Sequence, residues 1–298
     1  MTEYKLGTAV VDGASKPVVL VQGRVFTLAE VLGKGGAKAV PASLIDVFGN
    51  WEAQRSALSA ALKDFRAAGG GRDPESLVYQ APVPNPRAVI CVGVNYRDHL
   101  AEMKVSQEPS YPYAFLRPPS SLAAHREEIR LPKGPQMVDW EAELGIVVGR
   151  RVPAGDTGDA FSAVAGYTVV NDVSARDWII NRPPVGIDWV MQKAWDQFQP
   201  TGPWVTPAEF VPDPQALSIE LSVNGIVKQR SNTGQMIFGV RQIMQHLAGI
   251  MTLEPGDIVA TGTPAGVGFG QSPQEFIQTG DQVCVTVERL GTLENRFI

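Results

Sequence analysis

The sequence predicts an α+β protein dominated by strands and built in two parts. Three observations carry this. Strand-like and helix-like segments do not alternate as βαβ units, which argues against a doubly wound parallel sheet. The 298 residues include 30 glycines and 23 prolines, so turns are many. A proline-rich stretch, APVPNP at 81–86, divides a mixed leading segment from a strand-rich remainder. The expected organisation is a small α+β domain over 1–80 and a larger domain over 81–298.

The elements follow in order. PVVLVQGRVFTL (17–28) holds two β-branched runs around Gln22-Gly23, a hairpin signal. Asn50 is the expected N-cap of a helix from Trp51, with Trp51, Leu58, Leu62 and Phe65 on one face. Gly69-Gly70-Gly71 is expected to end it. Beyond the linker, AVICVGV (88–94) reads as a buried strand and Asp98–Lys104 as a short polar helix. Residues 141–148 alternate, and 164–172 is a β-branched run. LSIELSV and IVKQ flank Asn224-Gly225, the dipeptide preferred in type I′ hairpin turns. Val240, Ile243, Met244 and Leu247 mark an amphipathic helix, and DIVATGT (257–263) and QVCVTVERL (282–290) two more strands.

Composition excludes several classes. Apolar residues make up 44% and charged residues 19%, so the chain is globular rather than disordered. A net charge of −5 and a pI near 5.3 argue against a nucleic-acid partner, which needs a basic face. No apolar stretch approaches the about 18 residues that span a bilayer, and the N-terminus has no signal-peptide pattern. The expectation is a cytoplasmic protein without nucleic-acid or membrane partners. Cys91 and Cys284, both in strand-like runs, read as buried thiols of a reducing compartment.

Five constellations can carry chemistry. In Asp139-Trp140-Glu141-Ala142-Glu143, strand geometry sends Glu141 and Glu143 to one side, with Gly145 leaving space beside them. Two such carboxylates repel unless a cation intervenes; a solvated edge strand is the plain alternative. Asp172 ends an apolar run, where a turn or cap role competes. Three acidic oxygens without nearby His or Cys suit a hard cation, Mg²⁺ first, then Mn²⁺ or Ca²⁺. His99 and Glu102 stand i,i+3 on the short helix, where a carboxylate can orient an imidazole as general base; a surface pair is the alternative. Lys193 is flanked by Trp189, Trp195, Phe198 and Trp204, four aromatics that fit either a walled pocket or plain core packing. TGTPAGVGFG (261–270) lacks a P-loop Lys-Ser/Thr and the dinucleotide fingerprint, so nucleotide binding is rejected; backbone N–H groups approaching an anionic ligand stay open.

In order, GVNYRDHLAEM (93–103), FLRPPSSL (115–122), DWEAELGIVVG (139–149), GYTVVNDVSARD (166–177), QKAWDQFQPTGPW (192–204) and MTLEPGDIVATGTPAGVG (251–268) resemble the fumarylacetoacetate hydrolase superfamily over about residues 82–298. The first 80 residues resemble the variable leading domain of many bacterial members. The resemblance implies a mixed β-roll wrapped by short helices, a homodimer, and a small keto-acid substrate from aromatic catabolism. It implies that Glu141, Glu143 and Asp172 hold the metal, that His99 and Glu102 form the base and its partner, and that Lys193 meets developing negative charge. Tyr96, Arg117, Arg176, Gln192 and Thr263 are the implied substrate contacts. Arg117 stands where Lys is commoner, and its planar fork can pair bidentately with a carboxylate. Gln192, Ala194 and Trp195 replace the usual Gly, Ser and Phe. The expected reaction is hydrolysis of a C–C bond in a β-diketo acid of acylpyruvate, fumarylpyruvate or fumarylacetoacetate type. Decarboxylation of a β-keto acid, or isomerisation or hydration of a hydroxymuconate-like diacid, is the alternative.

Overall fold

The computed structural model describes residues 1–298 except 35–39, 64, 68 and 69. The leading segment forms a four-stranded antiparallel sheet in the order Arg24–Thr27, Ala14–Val21, Lys5–Val11, Val78–Gln80. Its two tight turns are Asp12-Gly13 and Gln22-Gly23, all four residues at positive φ. That is the type I′ geometry whose twist matches the flanking strands. Asp12-Gly13 is as strong a signal as the expected turn, and the sequence reading passed over it.

Three helices follow, Leu28–Lys34, Leu44–Gly49 and Trp51–Leu62. Ser43 caps the second by a reciprocal capping box with Asp46. Asn50 sits at the start of the third, as expected, but its side chain makes no cap hydrogen bond. That helix ends at Leu62 rather than at the glycines. Phe65 is nevertheless buried, edge-on to Phe26 at 5.0 Å. Gly69 of the expected stop lies outside the described residues. One apolar cluster joins Leu6, Phe48 and Leu58 to Val147, Val205 and Ile258, so the two parts of the chain share a core.

From residue 88 the chain is strand-rich and mixed. A six-stranded sheet runs Thr206–Pro207, Val164–Asn171, Ala142–Val148, Ile258–Ala260, Val89–Val92, Ala114–Arg117. Its Ile258–Ala260 and Val89–Val92 pair is parallel and the others antiparallel. A five-stranded sheet runs Ile226–Asn232, Ser218–Val223, Gln282–Val287, Gly291–Phe297, Glu128–Ile129. The main core lies between these sheets and the helix Val240–Ile250, which buries Val240, Ile243, Met244, Leu247 and Ala248. The Asn224-Gly225 turn has both residues at positive φ, as its sequence requires. Both cysteines are free, Cys91 buried and Cys284 half-buried. No helix among the described residues is long and apolar enough to cross a membrane.

The strand Ala142–Val148 corrects one expectation. It is no solvated edge: all seven residues are buried, and it is paired on both sides. Gly145 does not open space beside the carboxylates. A Cβ there would stand 2.8 Å from the Thr168 and Val170 methyls on the neighbouring strand. Glycine is what lets the two strands approach. Gly145→Ala overpacks this contact, and the expected cost is about 1–3 kcal/mol, read as a lower midpoint in urea unfolding with an unchanged m-value.

Candidate active site

Strand register assembles the acidic residues. Ala142 pairs with Asn171 and Glu143 with Val170. At the end of this ladder the Asp172 amide donates to the Glu141 carbonyl at 2.9 Å, and the Glu141 amide donates to Asn171 Oδ1 at 3.0 Å. Glu141, Glu143 and Asp172 are thereby buried with ligand oxygens all within 4.8 Å of one another. Such a set fits a hard divalent cation, which oxygen donors bind best.

One oxygen of each carboxylate is already engaged by the protein. Glu141 Oε1 faces Arg176 Nη2 at 2.7 Å. Glu143 Oε2 accepts from the Gly262 amide at 2.7 Å. Asp172 Oδ1 faces Arg117 Nη2 at 3.0 Å. Lys193 Nζ donates to the other Glu141 oxygen at 2.9 Å and to Asp172 Oδ2. Burial pushes the Glu141 carboxyl up, but Lys193 and Arg176 outweigh it and hold it at about 2. Burial, then the charges of Asp172 and Glu141, push Glu143 well above the usual carboxylate range. Adjacent carboxylates thus hold opposite protonation tendencies.

His99 lies on the helix Arg97–Glu102. Its Nδ1 meets Glu102 Oε2 at 2.9 Å, and Glu102 Oε1 accepts from the Gly266 amide at 2.8 Å. With Nδ1 engaged, Nε2 is the nitrogen left for proton transfer. The glycine-rich loop supplies further amides to carboxylates of the protein itself. Gly268 and Phe269 donate to Asp139 at 2.7 and 3.0 Å. Gly266 has φ +100, and a Cβ would fall 2.1 Å from the Lys228 carbonyl oxygen, so no other residue fits.

These groups face one cavity of about 230 Å³. His99, Glu141, Glu143, Asp172, Arg176, Gln192, Lys193 and Thr263 line it, with Phe115 and Trp189 among its apolar walls. Two expected substrate contacts lie elsewhere. Arg117 is behind Asp172, outside the lining, and donates to the Phe198 and Val173 carbonyls at 2.7 and 2.6 Å; its fork is spent on the protein. Tyr96 is fully buried in the main core, and burial pushes its phenol well above its usual range. Of the four aromatics around Lys193 in sequence, Trp189 alone lines the cavity, stacked on Phe115 at 4.3 Å. Phe198 and Trp204 belong to apolar clusters, and Trp195 packs against the main one.

Sequence reasoning missed three supporting residues. Asn171 sets the Glu141 amide. Asn95 ties the Thr261 carbonyl and both backbone groups of Phe238 at 2.8–3.0 Å. Gln229 bridges the Ala142 amide to Thr263 and Pro264. Asn171 and Asn95 lie inside quoted motifs, whereas Gln229 sits in a hairpin strand with no chemical signature.

The fumarylacetoacetate (FAA) hydrolase C-terminal family profile matches residues 88–298. A mitochondrial protein of Bos taurus named oxaloacetate tautomerase FAHD2A is 41% identical over 222 residues, 74% of this chain and 70% of that protein. A solved fumarylacetoacetate hydrolase from psychrophilic Exiguobacterium antarcticum is 30% identical, covers 99% of both chains and superposes with a TM-score of 0.81. A maleylpyruvate hydrolase from Sphingobium sp. SYK-6, solved in complex with manganese(II) ion and pyruvate, is 28% identical. It covers 99% of this chain and 98% of its own, with a TM-score of 0.76.

Two outcomes follow from the electrostatics. Glu143, with its raised folded value, contributes stability to the metal-free protein below the ordinary carboxylate range, lost as pH rises through that raised value. Glu141, held low, contributes stability above that range, lost as pH falls toward about 2. Because a cation needs Glu143 ionised, Mn²⁺ binding should release protons and tighten as pH rises. Titration calorimetry in buffers of different ionisation enthalpy checks this; a buffer-independent heat would contradict it. Asp139, bonded by Arg176 and the amides of Trp140, Gly268 and Phe269, holds the loop. Asp139→Asn should therefore lower stability by about 1.5–3 kcal/mol, while Glu141→Gln weakens Mn²⁺ binding more than Asp139→Asn does.

Proposed function

The chain belongs to the fumarylacetoacetate hydrolase family, and from that premise we propose a divalent-metal-dependent enzyme that interconverts the keto and enol forms of an oxaloacetate-class 2-oxo diacid. The observation that carries this reading is the convergence of the acidic triad, the His99–Glu102 pair and Lys193 on one cavity. At about 230 Å³ that cavity lies below the about 300–1,000 Å³ of drug-sized ligand sites, and suits a small acid. The relative named oxaloacetate tautomerase, at 41% identity, supports this branch over the expected C–C hydrolysis. Mg²⁺ or Mn²⁺ is the proposed ion, since all three candidate ligands are carboxylate oxygens and hard cations take oxygen donors; Lys193, which donates to Glu141 and Asp172, would yield those oxygens to it.

A bound divalent cation supplies electrophilic stabilisation of a 2-oxo carboxylate and of its enolate. The protein's own residues do the rest. Glu102 fixes the His99 ring, and Nε2 takes the proton from the carbon between the two carbonyl groups. Lys193 faces the negative charge that develops on the 2-oxo oxygen. Returning the proton to that oxygen completes the keto-to-enol conversion with no other bond broken. Phe115 and Trp189 exclude water from the exchange.

Hydrolysis of a C–C bond is the second reading. The same His99 could deprotonate a water, and a related maleylpyruvate hydrolase was solved with manganese(II) ion and pyruvate. With Mg²⁺, the expected result is accelerated decay of the ultraviolet absorbance of enol-oxaloacetate, without CO₂ release. Chelation should abolish it, and His99→Ala should lower it by about 10²–10⁴. No effect on enol decay, with solvent ¹⁸O entering the acid released from an acylpyruvate, would transfer the assignment to hydrolysis. Release of CO₂ from oxaloacetate would transfer it to decarboxylation.

A further inference from the structure

Gln229 lies on the hairpin strand Ile226–Asn232, opposite Leu221 of the partner strand Ser218–Val223, and is fully buried. Its amide makes three hydrogen bonds to two different parts of the site. Oε1 accepts from the Ala142 amide at 2.8 Å; Ala142 stands between Glu141 and Glu143. Nε2 donates to Thr263 Oγ1 at 2.8 Å and to the Pro264 carbonyl at 2.9 Å. The orientation of this amide is not a free choice. A backbone N–H can only donate and a carbonyl can only accept, so the oxygen must face Ala142 and the nitrogen Pro264.

The consequence falls on Thr263. Nε2 has no lone pair to offer, so Thr263 Oγ1 is an acceptor in that bond. The single hydroxyl proton must go elsewhere, and no described residue accepts it. Thr263 lines the cavity beside Glu143 and His99. We propose that Gln229 is a positioning residue that makes Thr263 a hydrogen-bond donor toward the cavity, so that the ligand atom met there is an acceptor oxygen. A carboxylate or enolate oxygen satisfies that donor; a ligand hydroxyl or amine that can only donate does not. The same amide spans the strand of the acidic residues and the TGTP loop, so the donor is held in register with the proposed metal ligands. This inference rests on the 2-oxo acid reading above and adds which hydrogen-bond partner that acid presents.

Oxalate, a small acid with acceptor oxygens only when ionised, is the probe, titrated into Mn²⁺-loaded protein by calorimetry. Wild type should bind it. Thr263→Val should weaken it about 10- to 100-fold, the size of one hydrogen bond to a charged acceptor, and Thr263→Ser should restore it. Gln229→Met should weaken oxalate binding by at least about tenfold and by more than it weakens Mn²⁺ binding, and Gln229→Met combined with Thr263→Val should bind no worse than Thr263→Val alone. A purely structural role for Gln229 would instead lower Mn²⁺ and oxalate affinity in equal measure, or add its loss to that of Thr263→Val; either result overturns the proposal. Where Gln229→Met does not fold, the Thr263 pair decides: loss in Val and retention in Ser supports the donor, and wild-type affinity in Val overturns it. Failure of wild type to bind oxalate overturns the 2-oxo acid reading itself, which keeps the two failures distinct.

Discussion

Three carboxylates buried within 4.8 Å of one another are the constraint on which the rest of this structure turns. Left alone they repel, and burial raises the cost of every charge. The fold meets this on two sides. Arg117, Arg176 and the Gly262 amide each take one oxygen from the rear or flank, while Lys193 sits across two of the forward oxygens. Arg117 explains why its position matters without any contact with the cavity. Its two other bonds go to backbone carbonyls, so the guanidinium is anchored on the main chain while it faces Asp172, with the contacts spread over two nitrogens of a planar fork.

The glycine-rich loop solves the complementary problem of holding the proposed general base. Its amides resemble an anion nest, and they are used on the protein's own acids: Glu143 by Gly262, Glu102 by Gly266, Asp139 by Gly268 and Phe269. One loop therefore orients a proposed metal ligand, the partner of His99 and the carboxylate that pairs with Arg176. Close backbone approach is possible only where side chains are missing, as at Gly266. The spacing of its glycines reflects three carboxylates, which is why it matches no nucleotide fingerprint.

Much of this was legible in the sequence, for physical reasons that differ by element. Asn224-Gly225 and Gln22-Gly23 encode their turns locally, because few residues tolerate the φ values they adopt. Glu141, Glu143, Asp172, His99 and Glu102 stand out by residue type and spacing, each with a plain alternative beside it, and it is the family resemblance that joins them into one set. What could not be read was direction. Alternation placed Glu141 and Glu143 on one face but could not tell an edge strand from the centre of a sheet, which depends on pairing with Ile258–Ala260 more than a hundred residues later. Arg117 and Tyr96 belong to the right motifs, yet which way each side chain turns depends on Asp172, Phe198 and the core. Gln229 was invisible because its role is set by three partners, none of them near it in sequence.

Charge counting shows what the ligand must meet. Asp139, Glu141, Glu143 and Asp172 are four carboxylates against three cations, Arg117, Arg176 and Lys193. Fully ionised, the cluster carries one net negative charge inside a low-dielectric wall, which opposes entry of any anion. Burial first, and then the charges of Asp172 and Glu141, raise Glu143 above the usual carboxylate range. A divalent cation held by Glu141, Glu143 and Asp172 would reverse the sign of the cluster, and it would compete with the Lys193 ammonium for Glu141 and Asp172. An anionic ligand is thus disfavoured before a cation binds and favoured after it, so the proposed 2-oxo diacid would bind second.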